Sequence, residues 1–200
     1  MNKLIYTLIL SLACSMVAEA EQRAPATVTK LCMNCHGVDG NSESPMFPRL
    51  AGQKAEYIQK QLEAYRDHTR TNAAAQNYMW GMARALSDDD IKTVANWFAA
   101  QRPVALVEVV APPRKELADR IFHAGIPERG VPACASCHGS AGEGTAIAPR
   151  IAGQHASYVE NQLKVLAGNE RPAGAMMQPV ASQLNAQEID ALGSYLQVLN

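Results

Sequence analysis

Neither sign of charge dominates this chain: 18 Lys and Arg stand against 19 Asp and Glu in 200 residues, a formal net charge of −1. So even a balance excludes a polybasic nucleic-acid binder. No apolar run reaches the roughly 20 residues that a membrane-spanning helix needs. The longest, Leu4 to Val17, comes after the short positive start Met1-Asn2-Lys3 and leads to Ala18-Glu19-Ala20. That order, ending on an A-x-A cleavage site, predicts a signal peptide over residues 1–20 and a mature chain from Glu21. Cysteine is scarce as well, at five residues. Cys14 lies in the leader, where Ser11-Leu12-Ala13 and the continuing apolar run argue against lipid attachment. The other four fall in two short motifs, which leaves no thiol for structural disulfides elsewhere. Apart from Val104 to Val110, runs of β-branched residues are missing. Their absence removes the strand-helix-strand frame of a thioredoxin-like dithiol.

The two motifs are Cys32-Met33-Asn34-Cys35-His36 and Cys134-Ala135-Ser136-Cys137-His138. Cys-x-x-Cys-His reads as a covalent c-type haem attachment site. Two thiols add to the two vinyl groups of one haem, and the histidine is delivered to the iron as an axial ligand. Each motif continues into a glycine, Gly37 or Gly139, free to turn the backbone away from the porphyrin edge. Zinc competes for the same residue types. Each motif would then need a fourth ligand, and the other histidines are only His68, His123 and His155.

Superimposing one motif on the other brings the segments C-terminal to them into register. Pro48-Arg49-Leu50-Ala51-Gly52-Gln53 matches Pro149-Arg150-Ile151-Ala152-Gly153-Gln154, and Tyr57, Gln61 and Leu62 match Tyr158, Gln162 and Leu163. A repeat this long is a duplicated domain rather than a solenoid unit. The division expected is a first domain over 21–102, a linker over 103–113 and a second domain over 114–200. Pro103, Pro112 and Pro113 block helix continuation there, and the Val-rich stretch between them is expected to pack between the domains. Helices are predicted from about Lys54 to Arg66 and Ala156 to Leu166, with a short helix leading into each motif. Ser87 or Asp88, and in the second half Asn185, cap the last helix of each domain. Domains this small carry little core of their own, and a covalently bound porphyrin would supply the missing interior. Trp97 and Tyr195 are expected to pack on the first helix of their own domain. Arg49, Arg150, Tyr57, Tyr158, Gln53 and Gln154 either meet haem propionates or are surface and packing residues.

An electron carrier needs its iron closed on both faces, and a methionine thioether raises the potential relative to a second histidine. Met79 lies eight residues before Ser87, and Met177 eight before Asn185. No other pair of methionines keeps that register, so these two are the expected sixth ligands. Met46 and Met82 are expected to fill core.

Taken together, the duplicated Cys-x-x-Cys-His-Gly, the Pro-Arg-Leu/Ile-Ala-Gly-Gln segments and the methionine register resemble the di-haem cytochrome c4 family over essentially all of residues 21–200. The resemblance implies an all-α fold of two tandem class I cytochrome c domains related by pseudo-twofold symmetry. It implies two covalently attached haem c groups on Cys32, Cys35, Cys134 and Cys137, with their propionate edges meeting near the interface. The iron ligands would be His36 and Met79 in one domain, His138 and Met177 in the other. The carbonyls of Pro48 and Pro149 would accept hydrogen bonds from the two histidines, fixing each ring. Two departures from the family stand out: an insertion over Ile126 to Pro132, and a Gly/Pro-rich approach to Met177 that leaves Met176 as its rival.

The function so implied is a periplasmic, monomeric single-electron carrier of a respiratory chain, not an enzyme. Its donor would be a quinol-oxidising complex and its acceptor a terminal oxidase, with peripheral membrane association left open. Two competitors remain. A di-haem peroxidase or thiosulfate dehydrogenase would need a displaceable sixth ligand and nearby acid-base groups. An electron-transfer subunit of a larger dehydrogenase complex would be held through an uncleaved leader.

Overall fold

Each cysteine motif lies on one turn of helix, and each half of the chain wraps longer helices around it. The structure, a computed structural model, describes residues 23–199. The expected signal peptide and Cys14 lie outside the described residues. In the first half a π-helical turn, Val28–Cys32, runs directly into α1 (Met33–His36). Next come α2 (Ala55–Arg66), a second π-helical turn (Ala75–Met79), α3 (Trp80–Ala83) and α4 (Asp88–Ala100). The second half holds α5 (Pro112–Ala124), α6 (Ala135–His138) and α7 (Ala156–Ala167). A 3₁₀ turn, Pro172–Met177, then leads into α8 (Gln178–Ala181) and α9 (Ala186–Val198). Among the described residues there is no strand, only an isolated bridge between Ile126 and Val131. The fold is all-α, as expected.

Two separate cores form, one per half. Ile58, Leu62 and Tyr65 of α2 meet Ile91, Val94 and Phe98 of α4, the helical spacing of one buried face. In the second core α9 packs on both α5 and α7. There Leu192, Tyr195 and Leu196 meet Ile121, Phe122 and Val159. Phe98 and Phe122 are completely buried, one at the centre of each core. Both last helices start with a full capping box. Ser87 pairs with Asp90, and Asn185 with Glu188, so two otherwise orphaned amides are satisfied at each start.

Three expectations are corrected. The prolines at 112 and 113 do not keep the chain extended: Pro112 opens α5 at its first position, where the missing N–H costs nothing. The Val-rich stretch does not pack between the domains, since Val107 and Val109 stand in solvent. The domains meet directly through side chains of their own, Gln53 and Gln154 among them. Met46 and Met82 are not core residues either, being 65% and 45% exposed.

Tyr195 packs as expected, its hydroxyl donating to Asp119 of α5 at 3.0 Å and its ring tilted against Phe122. Trp97 packs at the edge of the first core, while its indole N–H donates to the Val38 carbonyl at 2.7 Å, just beyond the motif.

Candidate haem sites

His36 ends α1 and His138 ends α6, each buried. The His36 Nδ1 lies 2.8 Å from the Pro48 carbonyl oxygen, and the His138 Nδ1 lies 2.9 Å from that of Pro149. A carbonyl only accepts, so Nδ1 must carry the proton. Nε2 is then left with a free lone pair. Burial lowers the affinity of both imidazoles for a second proton, against the opposing pull of the two carbonyls. Each ring is therefore a neutral, singly oriented donor, the state an iron ligand requires.

The helix turns place the thiols alike. Cys32 Sγ points to the Thr27 carbonyl at 3.8 Å, and Cys134 Sγ to that of Ile121 at 3.9 Å. Burial pushes both of these first thiols up to about 11, with the second cysteine of each motif adding to the shift. Among the described residues none of the four motif cysteines is tied up in a disulfide. After the motifs Gly37 and Gly139 take φ of 77° and 88°, a region in which a side chain is strained. Among the described residues no cluster of three or more His, Cys, Asp or Glu could hold a metal ion, so the zinc reading finds no completed ligand set.

Met79 and Met177 occupy the same place in their domains. Each is the last residue of an irregular turn and immediately precedes a one-turn helix, α3 or α8. Their backbones nearly coincide, with φ/ψ of −81°/−26° and −85°/−17°. Met79 packs against the same apolar cluster as Cys32. Met177 is half-buried, whereas Met176 is 76% exposed. The two surroundings differ, however. In the first domain Phe47 bridges His36 and Tyr78, edge-on to both at 6.1 Å and 5.9 Å. At the repeat position of Phe47 the second domain has Ala148.

A cytochrome c family profile matches residues 22–101 and again 120–200. The chain belongs to the cytochrome c family. It is 37% identical to a cytochrome c4 of Pseudomonas aeruginosa over the full length of both chains. It is also 34% identical to a "thiosulfate dehydrogenase electron acceptor" of Stutzerimonas stutzeri, over 82% of this chain and 76% of that one. Among solved structures, the cytochrome c4 of Acidithiobacillus ferrooxidans superposes with a TM-score of 0.78 at 35% identity. That match covers 86% of this chain and 100% of the other. The two domains, each with its Cys-x-x-Cys-His motif, make this a di-haem protein of the cytochrome c4 type, with two covalently attached haem c groups. Haem c supplies an iron that cycles between ferric and ferrous states. The protein's part is to hold that iron, exclude water and set its potential.

The repeated Arg, Gln and Tyr residues are neither loose surface nor simple packing. Gln53 and Gln154 join the domains: Gln53 pairs with the backbone of Arg150, and Gln154 with that of Arg49. Arg49 adds its own bonds, donating to Gly153 across the interface at 2.9 Å and to Asn41 at 2.7 Å. His155 is buried, with Nε2 2.9 Å from the Ser42 carbonyl of the other domain. His68 stacks on Trp80 and His123 pairs with Asp119.

Sequence reasoning passed over Arg70 and Arg171. Both are buried at the domain boundary, and they occupy matching repeat positions, which was the signal available. The Nε of Arg171 is buried with no acceptor. An orphaned guanidinium nitrogen fits a group that brings carboxylates, as haem does.

Proposed function

We propose that the chain is a periplasmic single-electron carrier of a respiratory chain, with His36 and Met79 closing one iron and His138 and Met177 the other. Cys32 and Cys35 carry the first haem, and Cys134 and Cys137 the second. One observation carries this reading: each domain holds a buried, carbonyl-anchored imidazole and, at a matching backbone position, a methionine. Both irons closed by protein ligands leave no position for substrate, which favours a carrier over an enzyme. Domain limits of 21–102 and 114–200 about the linker over 103–113 fit this arrangement, with the helix of the second domain reaching back to Pro112.

The donor proposed is a quinol-oxidising complex and the acceptor a terminal oxidase, met in small, transient encounters by a monomer. The periplasmic assignment rests on the leader pattern of residues 1–20, cleaved before Glu21. Among the described residues no helix is long and apolar enough to cross a membrane. The relative named as an electron acceptor of thiosulfate dehydrogenase supports a second reading, in which the donor is such a dehydrogenase instead.

The test is haem quantitation with an optical spectrum of the oxidised protein. Two haems per chain, both low-spin, with the weak far-red absorption of sulfur on ferric iron, are expected. A high-spin haem that binds cyanide rapidly would sink the carrier assignment. Reduction rates with a quinol-oxidising complex and with thiosulfate plus its dehydrogenase separate the two donors.

A further inference from the structure

Trp80 directly follows Met79 and is gripped on two sides. Its ring lies flat on the His68 imidazole, with 4.0 Å between the ring centres and 13° between the planes. Its indole N–H donates to the Arg70 carbonyl at 2.9 Å. Both contacts come from the turn that ends α2. That turn is hung on the helix: the Thr69 and Arg70 amides both donate to the Ala64 carbonyl, at 2.9 Å and 3.1 Å, and the His68 amide to the Tyr65 carbonyl at 3.3 Å. His68 itself holds a φ of 56°, in the left-handed region. A residue other than glycine stays there only where its surroundings fix it. α2 in turn supplies Ile58, Leu62 and Tyr65 to the first core, and Met79 and Trp80 pack against the same cluster. The Met79 backbone is thus tied, through its neighbour, to the rigid part of its domain.

The second domain has the same two positions without the grip. Counted from the tyrosines and glutamines that repeat in α2 and α7, Asn169 matches His68; counted from the methionines, Gln178 matches Trp80. The Gln178 amide reaches Asn169 Oδ1 at 3.4 Å, a long hydrogen bond between two exposed side chains. The turn that leads to Met177 also breaks at Gly174, whose φ/ψ of −102°/18° is not helical. A stacked aromatic pair holds its chain segments better than one stretched amide bond in water.

We propose that His68 and Trp80 are positioning residues for the Met79 thioether, so that the first iron holds its sulfur more tightly than the second iron holds that of Met177. A small neutral nitrogen base offered in solution is then admitted at the second iron first. This inference rests on the reading of Met79 and Met177 as iron ligands.

The experiment is imidazole titration of the ferric two-haem protein, followed by loss of the far-red sulfur absorption. In Met177→Ala only the Met79 sulfur reports, and in Met79→Ala only that of Met177. Met177 should yield at a lower imidazole concentration than Met79. Added to Met177→Ala, His68→Asn removes the stack, and asparagine accepts the left-handed backbone. It should lower the imidazole concentration that displaces Met79 by about twofold to tenfold, the worth of one aromatic stack. His68→Tyr puts a flat ring back and should recover most of that loss. Where a double variant fails to mature, His68→Asn alone carries the readout: only one half of the sulfur absorption should become easier to displace. Two sulfurs of equal resistance in the protein with His68 intact would overturn the proposal. So would a His68→Asn change that leaves Met79 as resistant as before, or that loosens Met79 and Met177 alike. A wild-type protein with no sulfur absorption at all would instead overturn the ligation reading beneath it.

Discussion

Gln53 treats Arg150 as one strand treats its neighbour. Its side-chain Nε2 donates to the Arg150 carbonyl at 2.8 Å, and its Oε1 accepts the Arg150 N–H at 2.9 Å. Gln154 does the same to Arg49, at 3.0 Å and 2.9 Å, so the pair obeys the twofold relation of the domains. A self-complementary contact of this kind is what a duplicated domain can build with one residue type used twice.

Replacing Gln53 by Ala removes both bonds and leaves the half-buried Arg150 backbone without its interdomain partner, at a cost of about 1 kcal/mol. Gln53→Glu keeps the acceptor but turns the donor into an oxygen facing a carbonyl, and is expected to cost more. Denaturant unfolding of the holoprotein, monitored at the haem absorption, measures both. A Gln53→Ala protein as stable as the wild type would mean that the clamp does not hold the interface.

Axial ligation is separated by three single substitutions. Met79→Ala and Met177→Ala are each expected to abolish about half of the far-red sulfur absorption and to lower one haem potential, since a soft thioether favours ferrous iron. Met176→Ala should change neither, as its side chain points into solvent. If Met176→Ala removes the band and Met177→Ala does not, the register counted from Asn185 picks the wrong ligand.

That register was legible because methionine, cap and motif all repeat, and so were α2, α4, α7 and α9, whose buried faces keep helical spacing. What the sequence concealed at the domain boundary was use. Gln53 and Arg49 read equally well as haem contacts or surface residues, because nothing local distinguishes a side chain that meets another domain. Arg70 and Arg171 carried a repeat signal, yet their burial depends on the two halves closing on each other. Pro112 was misread for a different reason: the same fixed φ that ends a helix also starts one.

The insertion before the second motif, Ile126 to Pro132, is held by the buried Ile126 and Val131 and by Arg129, which donates to the Gln183 carbonyl at 2.6 Å and pairs with Glu188. Glu188 completes the capping box of α9 with Asn185 and also receives Arg129 from the inserted loop. Asn185→Ala removes only the cap and should cost about 1 kcal/mol. Glu188→Ala strips the cap and leaves Arg129 only the Gln183 carbonyl, so its loss of stability should exceed that of Asn185→Ala. Thermal melts of the two variants rank them, and equal losses would mean that the loop does not depend on Glu188.

His155 predicts how the interface responds to acid. Burial holds its imidazole below its ordinary value, the Ser42 carbonyl opposes that shift and the nearby Arg49 charge adds to it. In the unfolded chain the ring takes up a proton near pH 6.5, about its ordinary value, while the folded protein resists until a lower pH. The stability owed to a neutral His155 is thus fully present above that value and is lost as pH falls below it towards the folded pKa. The wild-type holoprotein should therefore lose melting temperature between about pH 7 and pH 5. His155→Gln, whose amide can still donate to Ser42, should lose less over the same interval. Identical pH profiles for the two proteins would show that His155 does not titrate against folding.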